Sequence, residues 1–257
     1  MRFLLLIVFF FFTINFTFSQ RIFEPKKILD SEIKFDGIIE KNEWKDAVKI
    51  ELDNETEPGY NIKPIVNTAG YILYSDEYIY IGFHAKTNES VRASIRKRDD
   101  MGIMFNDDII GFDIDTYGDG RNNIFLGSNP YGSQFDVRIL NSISEEGRYD
   151  ISYDLEYESK GSIGEMEYFI ELKIPFSSIP FPNGRDQKWK FSLFRRYMDY
   201  NIQTSKIDRN NTCITCQLDD ILILKNIKID KKLDLLPYIS SNIEGTNNSG
   251  NNKIKYD

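Results

Sequence analysis

The sequence predicts an all-β protein: an antiparallel β-sandwich of the immunoglobulin-like or jelly-roll type, preceded by a cleaved signal peptide. Apolar and polar residues alternate in several short segments, which is the pattern of strands with one buried face. Clusters of Gly, Pro, Asn and Asp separate these segments, and no long window fits the period of a helix. Short strands at close spacing, with turn signals between them, are typical of a sandwich.

The first residues have the features of a targeting segment. Residues 3–12 form an unbroken apolar run after Arg2, and Thr17 and Ser19 are small residues at the positions that a signal peptidase reads. The run is shorter than the roughly 20 apolar residues of a spanning helix. We therefore expect cleavage after Ser19 and export to the periplasm, the outer membrane or the cell surface.

The charge of the chain bears on its partners. The formal net charge is −8 at pH 7 and the pI is near 4.9, so nucleic acid and anionic membranes would be repelled. A neutral ligand is the expected partner. The 19 Phe and 15 Tyr residues supply many aromatic rings, of which a β-sandwich core can absorb most of the Phe.

The stretch 106–136 is the clearest local prediction. Ile110, Phe112 and Ile114 alternate with Gly111, Asp113 and Asp115, which predicts a strand with an apolar face and an acidic face. The turn 116–123 is rich in Asp, Asn and Gly, which tolerate turn conformations, so the chain should return through residues 124–126 as a hairpin. The carboxylates should therefore gather near one rim.

Further strands are predicted by the same alternation. They cover residues 33–36, 48–52, 71–74, 78–83, 91–95, 135–139, 151–157, 166–174 and the segment that begins at Trp189. Trp44 and Trp189 are expected in the sandwich core. The composition changes near Ile229, which predicts a sandwich domain over residues 20–229 and a separate segment over 230–257. That last segment should lack a stable fold by itself, because its apolar residues have no later strands to pair with.

Four local motifs resemble the family 9 carbohydrate-binding-module-like domain of exported bacterial proteins. They are IKFDGIIEKNEW (33–44), AGYILYSDEYIYIGF (69–83), the Arg98-Asp99 pair and FDIDTYGDGRNNIFLGSNPYGSQFD (112–136). Weaker matches are SYDLEYE (152–158), ELKIPFSSIPFP (171–182) and the strand that begins at Trp189. Their order and spacing extend the resemblance from Ile33 to about Lys225.

The resemblance implies an antiparallel sandwich that binds sugars without cleaving them. Such domains are often attached to enzymes that hydrolyse O-glycosyl compounds, which implies a role in carbohydrate catabolism at the cell envelope. In the similar subset a membrane-barrel-like region follows the domain, and KKLDLLPYISSNIEG (231–245) looks like the start of that region, truncated here. Where the subset carries tryptophans, this chain has Tyr153 and Tyr157.

The two tyrosines are candidate sugar-binding residues. On a strand, Tyr153 and Tyr157 would point to the same face, about 13 Å apart at ~3.3 Å per residue, which suits two stacked sugar units. The alternative is that this face packs into the core. Arg98, Asn129, Asp136 and Arg196 are candidates for binding hydroxyl groups, and the alternative for each is a structural salt bridge or turn bond.

A cation site and a disulfide are also predicted. Asp115, Asp119 and Asn122 offer hard oxygen ligands for Ca²⁺ on the turn, although their spacing is not that of an EF-hand, and a solvated hairpin turn is the alternative. No other cofactor is implied. In an exported chain, Cys213 and Cys216 are expected to form a local disulfide, since no second ligand pair is present for zinc.

Three functions remain open at this point. The main hypothesis is non-catalytic carbohydrate binding, with an oligo- or polysaccharide as the partner and no catalytic residues. The first alternative is a periplasmic plug or assembly domain of an outer-membrane barrel that binds no sugar. The second is a glycoside hydrolase that uses two of the carboxylates Asp107, Asp108, Asp113, Asp115 and Asp136. The only histidine, His84, has no nearby nucleophile motif and is expected to be structural.

Overall fold

The computed structural model describes residues 20–141, 148–197, 201–208, 213 and 215–228, and these form mainly β-strands. The strands and the short α-helix are, in chain order, β1 (Ile22–Phe23), β2 (Val48–Glu51), β3 (Asn54–Glu57), β4 (Thr68–Tyr74), β5 (Tyr78–Lys86), α1 (Met101–Phe105), β6 (Ile109–Asp115), β7 (Asn122–Ser128), β8 (Gln134–Leu140), β9 (Tyr149–Asp150), β10 (Glu158–Ile163), β11 (Glu167–Pro175), β12 (Gln187–Tyr197), β13 (Asn201–Thr204) and β14 (Asp220–Leu224). The predicted signal peptide and the segment 230–257 lie outside the described residues. Within the described part of the chain, no helix has the length and apolar character to cross a membrane.

The strands form two sheets that pack as a sandwich, as predicted. The larger sheet has the order β1-β14-β12-β6-β7-β8-β9, and β13 joins it by pairing with both β12 and β3. The smaller sheet has the order β10-β11-β5-β4-β2. The paired strands run antiparallel, except that β1 runs parallel to β14, with Ile22 beside Ile221 and Phe23 beside Leu222. The Arg21 guanidinium binds the buried Asp220 carboxylate at 2.6 Å at the start of this parallel pair.

The main core lies between the two sheets. Phe112 on β6, Trp189 and Phe191 on β12, Phe83 on β5 and Leu172 on β11 are fully buried in one cluster. The alternation predicted for β6, with Ile110 and Ile114 on the same face as Phe112, places all three in this cluster. Trp189 therefore has the position that the sequence predicts.

Trp44 is buried, but not between the sheets. It packs with Ile33, Leu73 and Tyr80 in a separate cluster on the outer face of the smaller sheet. The indole lies against Gly82, where an added Cβ would be 2.9 Å from the Trp44 ring. The segment before β2 thus covers this face, and the prediction that Trp44 lies in the sandwich core is wrong.

The outer face of the larger sheet is also apolar. Phe135, Val137 and Ile139 on β8 point to this face and pack with Phe125 of β7 and with Ile103 of α1. The Asp100 side chain caps α1 by accepting a hydrogen bond from the Gly102 amide. A sheet face of this kind requires a cover, and α1 supplies part of it.

Three of the predicted strands are not strands. Residues 33–36 and 91–95 have no regular structure, and residues 151–157 cross from the larger sheet to the smaller one without pairing as a strand. In this crossing segment side chains bind the backbone: the Leu155 amide donates to Asp136, the Leu155 carbonyl accepts from Arg98, and the Tyr157 carbonyl accepts from Gln134. These bonds satisfy backbone groups that a strand would pair with a neighbour.

Candidate functional site

A groove lies on the outer face of the larger sheet, with a cavity volume of about 580 Å³. Residues of β3, β6, β7, β8, β9, β12, β13 and the helix α1 line it, and this volume is in the usual range of ligand pockets. Its walls are mainly apolar and include Met104, Phe125, Phe135, Val137, Ile139 and Phe194. Its polar side chains are Thr56, Glu57, Asp113, Thr204, Asp208 and Gln217.

Phe125 forms the floor of the groove, and two glycines allow this. Gly111 on β6 pairs with Gly127 on β7, and an added Cβ at either position would lie 2.3 or 2.6 Å from the Phe125 ring. The ring therefore lies directly against the backbone of the sheet. Phe194 meets it edge-on, with ring centroids 5.5 Å apart and an interplanar angle of 89°.

The rim of the groove exposes large apolar side chains. Phe105 at the end of α1 is 57% exposed and Tyr149 on β9 is 50% exposed. Met101 and Ile151 are also exposed at the rim. Exposed aromatic side chains around a concave surface are the usual features of a binding site and are uncommon on an inert face.

Asp113 is one of the titratable residues that line the groove. It is buried, and the Asn123 side-chain amide donates a hydrogen bond to it. Burial raises the pKa of Asp113 to about 7, the Asn123 bond lowers it by less, and the neighbouring Asp115 charge raises it further. The carboxyl therefore exists in both protonation states near neutral pH.

The structure does not place the two predicted tyrosines on a common open face. Tyr157 is buried in the main core, and its hydroxyl donates to the Gly127 carbonyl at 2.7 Å. Tyr153 is half-buried against the same core, and the Arg138 guanidinium lies 5.0 Å from its ring centroid. Because residues 151–157 are not a strand, the two-residue period that predicted a shared face does not apply. For Tyr157 the structure shows the alternative given above, in which the side chain packs into the core.

Arg98 and Asp136 form one cluster close to Tyr157. The Arg98 guanidinium binds Asp136 at 2.5 Å and lies 5.4 Å from the Tyr157 ring centroid. Asp136 is fully buried and also accepts from the Leu155 amide. Burial raises the pKa of Asp136 to about 6, although the Leu155 amide and Arg98 both lower it. The cluster anchors the crossing segment to β8, and Asp136 is not open to a ligand.

Asn129 and Arg196 are likewise buried. The Asn129 oxygen accepts from the amides of Tyr131 and Ser133, and its amide donates to Asp107, so it holds the Asn-Pro-Tyr-Gly corner. Arg196 is 7% exposed and donates to the Asp107 carbonyl. These two predicted residues have structural positions, and neither lines the groove.

The turn predicted to hold a cation does not fit one. Asp115 is buried, and its two oxygens accept hydrogen bonds from the amides of Tyr117, Gly118 and Gly120. Asp119 accepts from the Arg121 amide, and Asn122 begins β7. The turn amides take the place that Ca²⁺ would need at Asp115. A different group of carboxylates, Asp99, Asp136 and Asp154, converges within 4.8 Å, but Arg98 binds all three.

The two cysteines form a disulfide bond beside that turn. The adjacent Thr215 hydroxyl donates to the Gly120 carbonyl at 2.8 Å, and the Asn141 amide lies 3.8 Å from the Cys216 sulfur. The disulfide therefore supports the β6–β7 turn from the side of β14.

Comparison with solved structures identifies the fold. A protein from Bacteroides uniformis described as carbohydrate-binding matches with a TM-score of 0.61 and 14% identity, over 80% of this chain and 99% of that one. A family 9 carbohydrate-binding module from Caldicellulosiruptor kristjanssonii in complex with cellotriose matches with a TM-score of 0.56 and 12% identity, over 84% of this chain and 100% of that one. A family 9 module from the same organism in complex with glucose matches with a TM-score of 0.53 and 11% identity, over 84% of this chain and 99% of that one.

The chain has the fold of these carbohydrate-binding modules. No protein-family model and no curated protein matches the sequence. At these identities the likeness concerns the fold alone, so the residues of a ligand site in this fold must be read from this chain itself.

The carboxylates that would make such a fold a hydrolase do not converge in the groove. Of the five predicted candidates, Asp113 alone lines it. Asp107 is bound by Arg96 and Asn129, and Asp115 is bound by its turn. His84 pairs with Glu167 at 2.7 Å and stacks on Phe169, on the other sheet.

Sequence reasoning missed the groove residues, although two signals were available. Residues 124–126 are apolar without interruption, which is the pattern of a strand buried on both faces. Glycine in the interior of two paired strands, here Gly111 and Gly127, often marks the close approach of another group. Together they indicate that Phe125 lies on a covered outer face. No comparable signal marks Phe105, because α1 is too short to show a helical period.

Proposed function

We propose that this chain is a non-catalytic carbohydrate-binding domain and that the groove is its sugar site. The observation that carries the proposal is the pair of exposed rings, Phe105 and Tyr149, at the rim of a concave surface. Aromatic faces receive the C–H side of a sugar ring, and the polar side chains of the groove can bind hydroxyl groups. The solved structures with this fold include modules bound to cellotriose and to glucose, which supports the assignment.

The setting of this function is proposed from the sequence. The apolar run after Arg2 supports export, and the acidic net charge favours a neutral glycan over nucleic acid. We place the domain at the bacterial cell envelope, in carbohydrate catabolism, with attached or partner hydrolases of O-glycosyl compounds. An outer-membrane barrel that follows the domain would hold it there.

A glycan array on the purified chain, followed by calorimetric titration of the best ligand, tests the proposal. Phe105→Ala and Tyr149→Ala should each weaken binding roughly tenfold, since losing about 1.4 kcal/mol of contact is a factor of ten. Tyr131→Ala is the matched control, because Tyr131 is equally exposed but lies outside the groove.

Two outcomes would contradict the proposal in different ways. Binding that is lost equally in Tyr131→Ala would show that the groove is not the site. Failure to bind any plant, algal or host polysaccharide would favour the plug or assembly role at a barrel protein.

A further inference from the structure

The polar side chains of the groove are few, and several already bind the protein. The Thr204 hydroxyl donates to the Ile207 carbonyl and accepts from the Ile207 amide. Asp113 is bound to Asn123, and the Gln217 oxygen accepts from the Asp208 amide. Glu57 also has a partner within the chain. Among the described residues, this leaves Thr56, Tyr149 and Asp208 as the polar groove side chains without a hydrogen bond to the protein.

So few hydrogen-bonding side chains do not match an ordinary hexose, which presents hydroxyl groups around its whole ring. A hydroxyl pressed against Met104, Phe194 or Ile202, which are partly exposed apolar residues of the lining, would lose its bonds to water and gain none, at a cost of about 1–3 kcal/mol. A methyl group at the same place would gain about 0.8 kcal/mol for each buried carbon. The walls therefore favour a ligand with more C–H surface than glucose.

The charges of the groove restrict the possible ligands further. Its titratable lining residues are Glu57, Asp113, Tyr149 and Asp208, and within the described part of the chain no Lys, Arg or His lines it. A carboxylate or sulfate on the ligand would meet like charge in an apolar setting, which is unfavourable. Uronic acids and sulfated sugars should therefore be rejected.

We propose that the groove selects neutral glycans whose bound sugar unit carries a methyl group, as a 6-deoxy, O-methyl or acetyl substituent, with that methyl group packed against the apolar wall formed by Met104, Phe194 and Ile202. The inference rests on the proposed function and specifies its ligand. The expected preference over the unsubstituted sugar is roughly ten- to a hundredfold, the usual range for one group in a hydrophobic pocket.

The test is calorimetric titration of the purified chain with matched monosaccharides. Glucose is compared with 6-deoxyglucose, 3-O-methylglucose, N-acetylglucosamine and glucuronate, so that each methyl source is separate from the others. At least one of the three methyl-bearing sugars should bind ten times tighter than glucose, and glucuronate should bind more weakly than glucose.

A groove variant links the preference to the wall. Ile202→Thr places a hydroxyl where the ligand methyl should pack and should reduce the preference several-fold. Ile223→Thr is the control, because Ile223 is also a partly exposed strand residue but lies outside the groove. If a variant fails to fold, the comparison of sugars on the unaltered chain still tests the proposal.

The outcomes separate this inference from the proposed function. If glucose binds as tightly as all three methyl-bearing sugars, the methyl preference is overturned and sugar binding stands. Equal or tighter binding of glucuronate overturns the charge argument. If no sugar or polysaccharide binds at all, the proposed function itself fails.

Discussion

The Asn123 side-chain amide donates a hydrogen bond to the Asp113 carboxylate across β6 and β7, in the wall of the groove. The pair is buried, and no cation balances the carboxylate there among the groove's described residues. The raised pKa of Asp113 follows from this setting, and it makes the stability of the protein depend on pH.

The first prediction concerns that dependence. The pKa of Asp113 is raised to about 7 in the folded chain from 3.8, so its contribution to stability is fully present below pH 4 and is lost as the pH rises through 7. Asp113→Asn cannot ionise and should remove roughly 3 kcal/mol of the stability change between pH 5 and pH 8, because each pH unit from 5 up to the pKa of about 7 is worth roughly 1.4 kcal/mol. Urea unfolding at pH 5 and pH 8 measures it.

The comparison with the unaltered chain isolates Asp113. Glu171, whose pKa burial also raises to about 7, is present in both proteins. Asp154→Asn, which changes an exposed carboxylate, should keep the pH dependence of the unaltered chain. Equal slopes for Asp113→Asn and the unaltered chain would show that Asp113 does not titrate in this range.

The second prediction concerns the floor of the groove. An alanine at Gly111 would place its Cβ 2.3 Å from the Phe125 ring, so the ring must move. Gly111→Ala should destabilise the fold by about 1–3 kcal/mol and weaken ligand binding. Thermal unfolding and titration with the best glycan measure the two effects.

A second substitution tests the cause. Adding Phe125→Leu to Gly111→Ala shortens the side chain that clashes, so the double variant should be more stable than the sum of the two single changes predicts. Strict additivity would mean that Phe125 is not the group that Gly111 accommodates.

The third prediction concerns Arg98 and Asp136. Arg98→Met leaves the buried Asp136 charge without its guanidinium, which should cost about 3 kcal/mol at pH 8. The pKa of Asp136 is already raised to about 6, so the carboxyl is protonated at pH 5 and the loss should be smaller there. Chemical unfolding at both pH values measures the difference.

Asp136→Asn in the same chain is the control for that charge. The double variant Arg98→Met with Asp136→Asn should recover part of the lost stability at pH 8. If the double variant is no more stable than Arg98→Met, the loss comes from the packing of Arg98 on Tyr157 rather than from the unpaired carboxylate.

The fourth prediction concerns the disulfide. Replacing Cys213 and Cys216 together with serine opens a very short loop, for which chain entropy gives about 2 kcal/mol. Because Thr215 binds the Gly120 carbonyl, the loss of protection in hydrogen exchange should extend to the β6–β7 turn. Unchanged exchange in the turn would show that the disulfide loop does not support it.

The strands were predictable where alternation is strong and one face is polar. Strands β6, β8, β11 and β12 follow this pattern and are formed as expected, whereas β7 was predicted from the turn that precedes it. Alternation does not say which side of the sheet the apolar face meets. Phe135, Val137 and Ile139 alternate as a core face would, yet they pack on the outer side of the larger sheet, because α1 covers that side.

The groove could not be predicted in the same way. It joins β3, α1 and β13, which are far apart in sequence and too short to show a period. The predicted residues Tyr157, Asn129 and Asp136 have the chemistry of a sugar site, but the same chemistry satisfies buried backbone groups, and here it does so. Burial distinguishes a ligand-binding side chain from one that bonds to the backbone. It depends on the tertiary fold and cannot be predicted from a local sequence pattern.

The parallel pairing of β1 and β14 decides how the domain would respond to mechanical force. The chain enters β1 at Ile22 and leaves β14 at Leu224, at opposite ends of the same pair. A pull on residues 20 and 228 would slide the two strands along each other, so their hydrogen bonds and the Arg21–Asp220 ion pair would be loaded together rather than opened one by one. Tension applied between the two ends of the domain would therefore be resisted first at this edge of the larger sheet.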